Sequence, residues 1–125
     1  MAKVFFPTVE EVLAMHEILI KRFGGSQGVR ELGLVSSAVH RPQSGYYNDL
    51  FEQAAALLES FALNPCFVDG NKRIAFGIAD VFLRLNGKIL KVPAQEGEKF
   101  LIRQVIQEKV GITKIAQWLE AHVAS

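Results

Sequence analysis

The chain has 125 residues, half of them apolar, enough to bury one core and most simply a single domain over residues 1–125. Its 14 basic and 13 acidic residues leave a formal charge of +1, which excludes a broad nucleic-acid footprint and any strong attraction to an anionic membrane. The single cysteine, Cys66, excludes a disulfide framework and a multi-cysteine zinc site, as befits a reducing cytoplasm. No apolar run approaches the ~20 residues of a membrane span. The Met-Ala-Lys start reaches a helical pattern within about ten residues, without the long apolar core expected of a signal peptide.

Thr8 followed by Glu11 matches a capping box, and Val9, Val12, Leu13, His16, Leu19, Ile20 and Phe23 recur at helical spacing until Gly24-Gly25 breaks the pattern. A first helix is predicted from Thr8 to Phe23. Leu34, Val35, Ala38 and Val39 share one face of a short second helix from Gly33 to His40, which Pro42 should end. The turn formers and aromatics of Arg41 to Asp49 predict a surface loop or a short hairpin. From Asp49 to Leu63 the apolar arc is wide enough for a central helix, and a similarly apolar helix is predicted from Asn71 to Leu85, stopped by Asn86-Gly87. Lys88 to Val92 is a short strand or an extended linker before Pro93. Two helices follow, Ala94 to Lys109 and Thr113 to His122, parted by Gly111. The expected fold class is all-α.

Between the two central helices lies Phe67-Val-Asp-Gly-Asn-Lys-Arg73, which combines an acid, a glycine, an amide and two cations. A loop entering a helix presents unpaired N–H groups and the positive end of the helix dipole, a suitable seat for phosphate. Lys72 and Arg73 add cationic donors, and Asp69 can offer a carboxylate oxygen to Mg2+. The pattern points to a nucleotide phosphate site.

Asn64, Phe67, Val68, Asp69, Gly70, Asn71, Lys72, Arg73 and Ala75 resemble the signature of the Fic/Doc (Fido) superfamily, and the lysine in the loop resembles its death-on-curing branch. Gly24-Gly25, Gly28-Val29-Arg30, Gly33-Leu34, Arg41-Pro42-Gln43 and Phe82-Leu83-Arg84-Leu85-Asn86-Gly87 are similar to that branch in kind and order, so the likeness runs over residues 8 to 90. It implies a compact helical bundle with a central active-site helix and a short flap or hairpin. It further implies a toxin that passes phosphate from ATP to a hydroxyl of elongation factor Tu, and that is restrained by a small antitoxin in trans. The wider superfamily more often transfers AMP, and a binding module without chemistry is a third possibility. Lys72 favours phosphate transfer, since AMP-transferring relatives carry glycine there.

The resemblance assigns Asp69 to the metal, the N–H groups near Gly70 and Asn71, the Asn71 amide, Lys72 and Arg73 to the phosphates, and Tyr46 and Tyr47 on the flap to the target. It also exposes one departure. The family motif begins with a histidine two positions before the phenylalanine, the general base of the transfer, and here that position is Pro65. Proline accepts no proton, so the chain as written should be catalytically crippled, through either a natural loss or a detoxifying change. His16, His40 and His122 all lie outside the motif, and His16 reads as a partly buried histidine satisfied on an apolar face. Cys66 reads as a small structural thiol. Glu96-Gly97 matches only the end of a family inhibitory helix, with Val92 at its hydroxyl position.

Overall fold

Six α-helices are present among residues 3–124, which the computed structural model describes: α1 (Val9–Phe23), α2 (Leu32–His40), α3 (Leu50–Leu63), α4 (Asn71–Leu85), α5 (Ala94–Phe100) and α6 (Ile112–Ala121). The Met-Ala start lies outside the described residues. No strand forms among them, and extended pairing is limited to isolated antiparallel bridges, Val29 with Phe67 and Leu90 with Val123. The all-α expectation holds. None of these helices is long and apolar enough to cross a membrane.

Helix α3 is the axis of the bundle. Ala54 through Leu58 are all buried, so this stretch has no solvent side, and its alanines let α4 and α6 approach closely. Helix α4 turns Ile74, Ala75, Ile78, Ala79, Phe82 and Leu83 inward at helical spacing. Phe61, Phe67 and Phe82 are the bulkiest fully buried side chains of the core between them.

Local rules set most boundaries. Thr8 and Glu11 close the predicted capping box on α1, and the Asp49 side chain accepts the Glu52 N–H at the start of α3. The second helix ends at His40 as expected, and Pro42 sits inside a 3-10 turn over Arg41–Gln43, where a missing N–H costs nothing. The segment after it is the loop alternative, turning at Gly45 (φ +91) without a hairpin ladder. Lys88 to Val92 is extended, with the single Leu90 bridge. Regular helix from Ala94 stops at Phe100 rather than Lys109 and widens into a π-helical stretch over Leu101–Gln107, from which Leu101 and Val105 enter the core.

Candidate active site

Residues 64–73 leave α3, cross the end of the core and enter α4. Asn64 ends α3 with its Nδ2 donating to the Ser60 carbonyl at 2.9 Å, and Pro65 follows, exposed. Cys66 and Phe67 then turn inward while Val68 and Asp69 face out. Phe67 is sandwiched between the His16 ring, stacked at 3.8 Å and 8°, and Phe61 at 6.5 Å. The Asn71 side chain clamps the Phe67 main chain: its Oδ1 accepts the Phe67 N–H and its Nδ2 donates to the Phe67 carbonyl, both at 2.9 Å. Gly70 makes the final turn in the left-handed region (φ +79), and a Cβ there would lie 2.9 Å from Ile20 Cδ1. Helix α4 therefore begins on a residue with no side chain to cap it. Its first main-chain bond is Ile74 N–H to the Gly70 carbonyl, so the amides of Asn71, Lys72 and Arg73 have no acceptor within the helix.

A second segment, residues 24–31, straps this loop in place. The Val68 N–H donates to the Gly28 carbonyl at 3.1 Å, and the Arg30 and Glu31 N–H groups both donate to the Cys66 carbonyl, at 2.9 and 3.1 Å. The Ser26 N–H donates to Asp69 Oδ2 at 3.1 Å. Gly25 (φ +116) passes so near that an added Cβ would stand 2.8 Å from the same carboxylate oxygen.

The charges follow from this arrangement. Asp69 is exposed, and its carboxyl is held below the ordinary aspartate range chiefly by the Ser26 and Gly70 N–H groups, with Arg73 adding a smaller attraction. Arg73 Nη1 donates to the Gly24 carbonyl at 3.1 Å, and its guanidinium lies over the Phe23 ring at 5.1 Å. Lys72 is exposed, with no ion-pair partner among the described residues. Asp69, Gly70, Lys72, Arg73, Phe23 and Gly24 border a cavity of about 1010 Å³ that Phe76, Gly97 and Leu101 also line.

The structure thus gathers Asp69, Gly70, Asn71, Lys72 and Arg73 on one wall. The Asn71 side-chain amide, expected to hold a phosphate, is engaged by Phe67 instead, while its main-chain N–H has no acceptor within the helix. Tyr46 and Tyr47 stand apart from the cavity and from each other in environment. Tyr46 is 85% exposed, whereas the half-buried Tyr47 hydroxyl accepts from Arg41 Nε at 2.7 Å. Arg41 also donates to Ser60 Oγ and pairs with Glu59, both at 3.0 Å, which ties the segment after α2 to the last turns of α3.

All three histidines are engaged by acceptors away from Pro65. His40 Nδ1 is bound to the Ser36 carbonyl, His122 to the Trp118 carbonyl and Glu96, and His16 Nε2 to the Asp69 carbonyl at 2.7 Å. Burial pushes the Cys66 thiol up to about 11, so it stays protonated and serves as the structural residue expected of it. The sequence reading did not anticipate that His16 reaches the loop, or that residues 24–31 bind it. The cluster Gly24, Gly25, Gly28 was the available signal, since glycines so spaced outside a helix mark close main-chain approach.

These features define a class: an all-helical bundle whose functional loop opens a central helix, with an acid and two cations beside uncapped amides. The chain belongs to the Fic/DOC family, whose sequence model matches residues 6–83. It is similar to Toxin Doc of Mycolicibacterium smegmatis, 46% identical over 83 residues, which is 62% of each chain. It is also similar to Protein kinase doc of Escherichia phage P1, 38% identical over 82 residues, 62% of this chain and 65% of that one. The matched region spans less than two thirds of those relatives.

Proposed function

We propose that this chain has the build of an ATP-dependent protein kinase toxin. Its target is a hydroxyl on a translation factor of the elongation factor Tu type, in the cytoplasm, and a small antitoxin restrains it in trans. Pro65 leaves this copy without transfer activity. The names of the two relatives, a toxin and a protein kinase, support this reading, as does Lys72 at the position that separates phosphate-transferring from AMP-transferring loops. The observation that carries it is the convergence of Asp69, Lys72, Arg73 and the free amides of the first turn of α4 on one cavity.

In the transfer, the target oxygen bonds to the γ-phosphorus while the bond from that phosphorus to the β–γ bridging oxygen breaks; ADP leaves and the hydroxyl proton needs an acceptor. The Asn71, Lys72 and Arg73 N–H groups orient the phosphates, and the two cations offset charge spreading over their oxygens. Arg73 has only one donor engaged with Gly24, so others remain for a phosphate. Among the described residues no three acidic, histidine or cysteine side chains converge to cage a metal. Asp69, a lone ionised carboxylate, would be the residue to hold a Mg2+ ion, which would supply further positive charge beside the phosphates. The proton has no destination: Pro65 accepts none, His16 Nε2 is a donor to a carbonyl, and the Cys66 thiol is protonated. A general base is worth ~10²–10⁴ in rate, which is the loss assigned to Pro65.

Restoring Pro65→His and supplying ATP labelled at the γ or the α phosphate tests the proposal. Label on elongation factor Tu from the γ position alone is the expected result. Label from the α position transfers the chain to the AMP-transferase reading, and no label from either leaves a binding module. Expressed alone, the restored protein should arrest growth, and Asp69→Ala or Arg73→Ala on that background should relieve the arrest.

A further inference from the structure

We propose that His16 is a positioning residue for the loop, acting through the Asp69 peptide to aim both the Asp69 carboxylate and the amides of α4. The proposal deepens the nucleotide-site reading and rests on it for the ligand. Its geometric half stands alone.

His16 lies one turn from Val12 and one turn from Ile20 on the buried face of α1, and it is only 3% exposed. Two contacts and one close approach join it to the loop. The ring stacks flat on Phe67, Nε2 is 2.7 Å from the Asp69 carbonyl, and Nε2 would lie 3.4 Å from a Cβ on Gly70. A carbonyl only accepts, so Nε2 carries the proton. The stack fixes the ring plane, and the ring plane fixes the direction of the N–H.

The consequence passes through covalent geometry. The Asp69 carbonyl and the Gly70 N–H belong to one planar peptide and point in opposite directions. Drawing the carbonyl toward α1 therefore sends the Gly70 N–H outward, where it donates to Asp69 Oδ1 at 2.8 Å. The other oxygen is held by Ser26. A single buried imidazole thus decides how the acid of the site is presented and at which dihedral the chain leaves Gly70 to begin α4. An apolar residue would satisfy the burial but not this bond, and a polar one without a partner there would be costly.

The test compares His16→Phe, which can still stack on Phe67 but has no donor, with His16→Gln, which keeps a donor and loses the stack. Calorimetry with ATP and Mg2+ on the chain as it stands reads ligand binding, and amide resonances of residues 68–73 read the loop. His16→Phe should weaken binding about tenfold or more, as loss of outer-shell partners does, and should shift the Gly70 and Asn71 amides while melting near the parent temperature. His16→Gln should return affinity to within about threefold of the parent, since the donor is the part that acts. Parent-like affinity and unmoved Gly70 and Asn71 resonances in His16→Phe would overturn the proposal. Should that variant not fold, the parent's imidazole nitrogen resonances decide: a slowly exchanging proton on Nε2 supports the bond, and a proton on Nδ1 alone defeats it. If the parent itself binds no ATP, the nucleotide reading fails, and the resonances still decide the role of His16.

Discussion

The two walls of the cavity are joined in different ways. On the loop wall, residues 24–31 and 66–69 meet main chain to main chain, through Val68 to Gly28, Arg30 and Glu31 to Cys66, and Ser26 to the Asp69 carboxylate. Beyond the lining that α5 supplies through Ala94, Gly97 and Glu98, α5 and α6 meet side chain to side chain. Trp118 is stacked between Phe100 (4.1 Å, 5°) and His122 (4.1 Å, 30°), Phe76 meets its edge at 6.2 Å, and His122 Nε2 pairs with Glu96 at 3.0 Å. Main-chain contacts depend on backbone angles and so on glycine, while side-chain contacts depend on the identity of the rings. The family match ends at residue 83, so the loop wall lies inside it, and of the aromatic cluster only Phe76 does. The proposed chemistry belongs to the wall whose shape the backbone sets, and the aromatic cluster, mostly beyond the match, rests on side-chain packing.

The largest expected effect lies where both kinds of contact coincide. Phe67→Ala removes a fully buried ring from between His16 and Phe61 and should cost about 4 kcal/mol in denaturant unfolding. Trp118→Ala should cost less, because that ring is only half-buried; equal losses would break the contrast.

Glycine substitutions sharpen it next. Gly25→Ala forces a side chain into φ +116 against Asp69 and should lose about 1–3 kcal/mol together with binding of ATP and Mg2+. On the other wall, Gly97→Ala meets Phe76 at 2.9 Å, but only its half-buried ring, and gains helix propensity of about 1 kcal/mol, so its loss should be smaller and nucleotide binding should survive. Reversed ranking of the two in paired melts and calorimetry would contradict the division.

The smallest effect is electrostatic. The Trp118 carbonyl and then Glu96 raise the His122 imidazole above its ordinary value of 6.5. A pKa raised by folding stabilises fully below the unfolded value, and the contribution fades as pH climbs through the raised one. Glu96→Gln should therefore lower stability by less than about 1 kcal/mol on the acid side and flatten the decline toward alkaline pH. Asp69 runs oppositely: its depressed pKa contributes above 3.8 and is lost as pH falls through the lowered value. Thermal midpoints of the parent against Glu96→Gln at neutral to alkaline pH, and against Asp69→Asn at acid pH, check the two signs.

Legibility in the sequence follows how local each feature is. The starts of α1, α3 and α4 were readable because Thr8, Asp49 and Gly70-Asn71 act on residues within one turn of themselves. The grouping of Asp69, Gly70, Lys72 and Arg73 was readable because one loop and one helical turn hold them. The π-helical stretch at Leu101–Gln107 left no trace in spacing, since a single wide turn shifts the apolar period by less than the pattern resolves. The capture of Asp69 by His16, 53 positions away, depends on how α1 lies across the bundle, which no local rule specifies. Tyr46 and Tyr47 look alike as a pair in sequence, and only the Arg41 guanidinium distinguishes them.

Cys66 lies beneath the strap with its own carbonyl bound by Arg30 and Glu31, and its thiol is both fully enclosed and weakly acidic. Folded molecules should ignore disulfide reagents, so each modification event counts one opening of the packing around Cys66, whose main chain residues 30 and 31 hold. The lone sulfur is in effect a built-in stopwatch for opening of the site: whatever seats on the loop slows it, and nothing need be added to the chain to read the time.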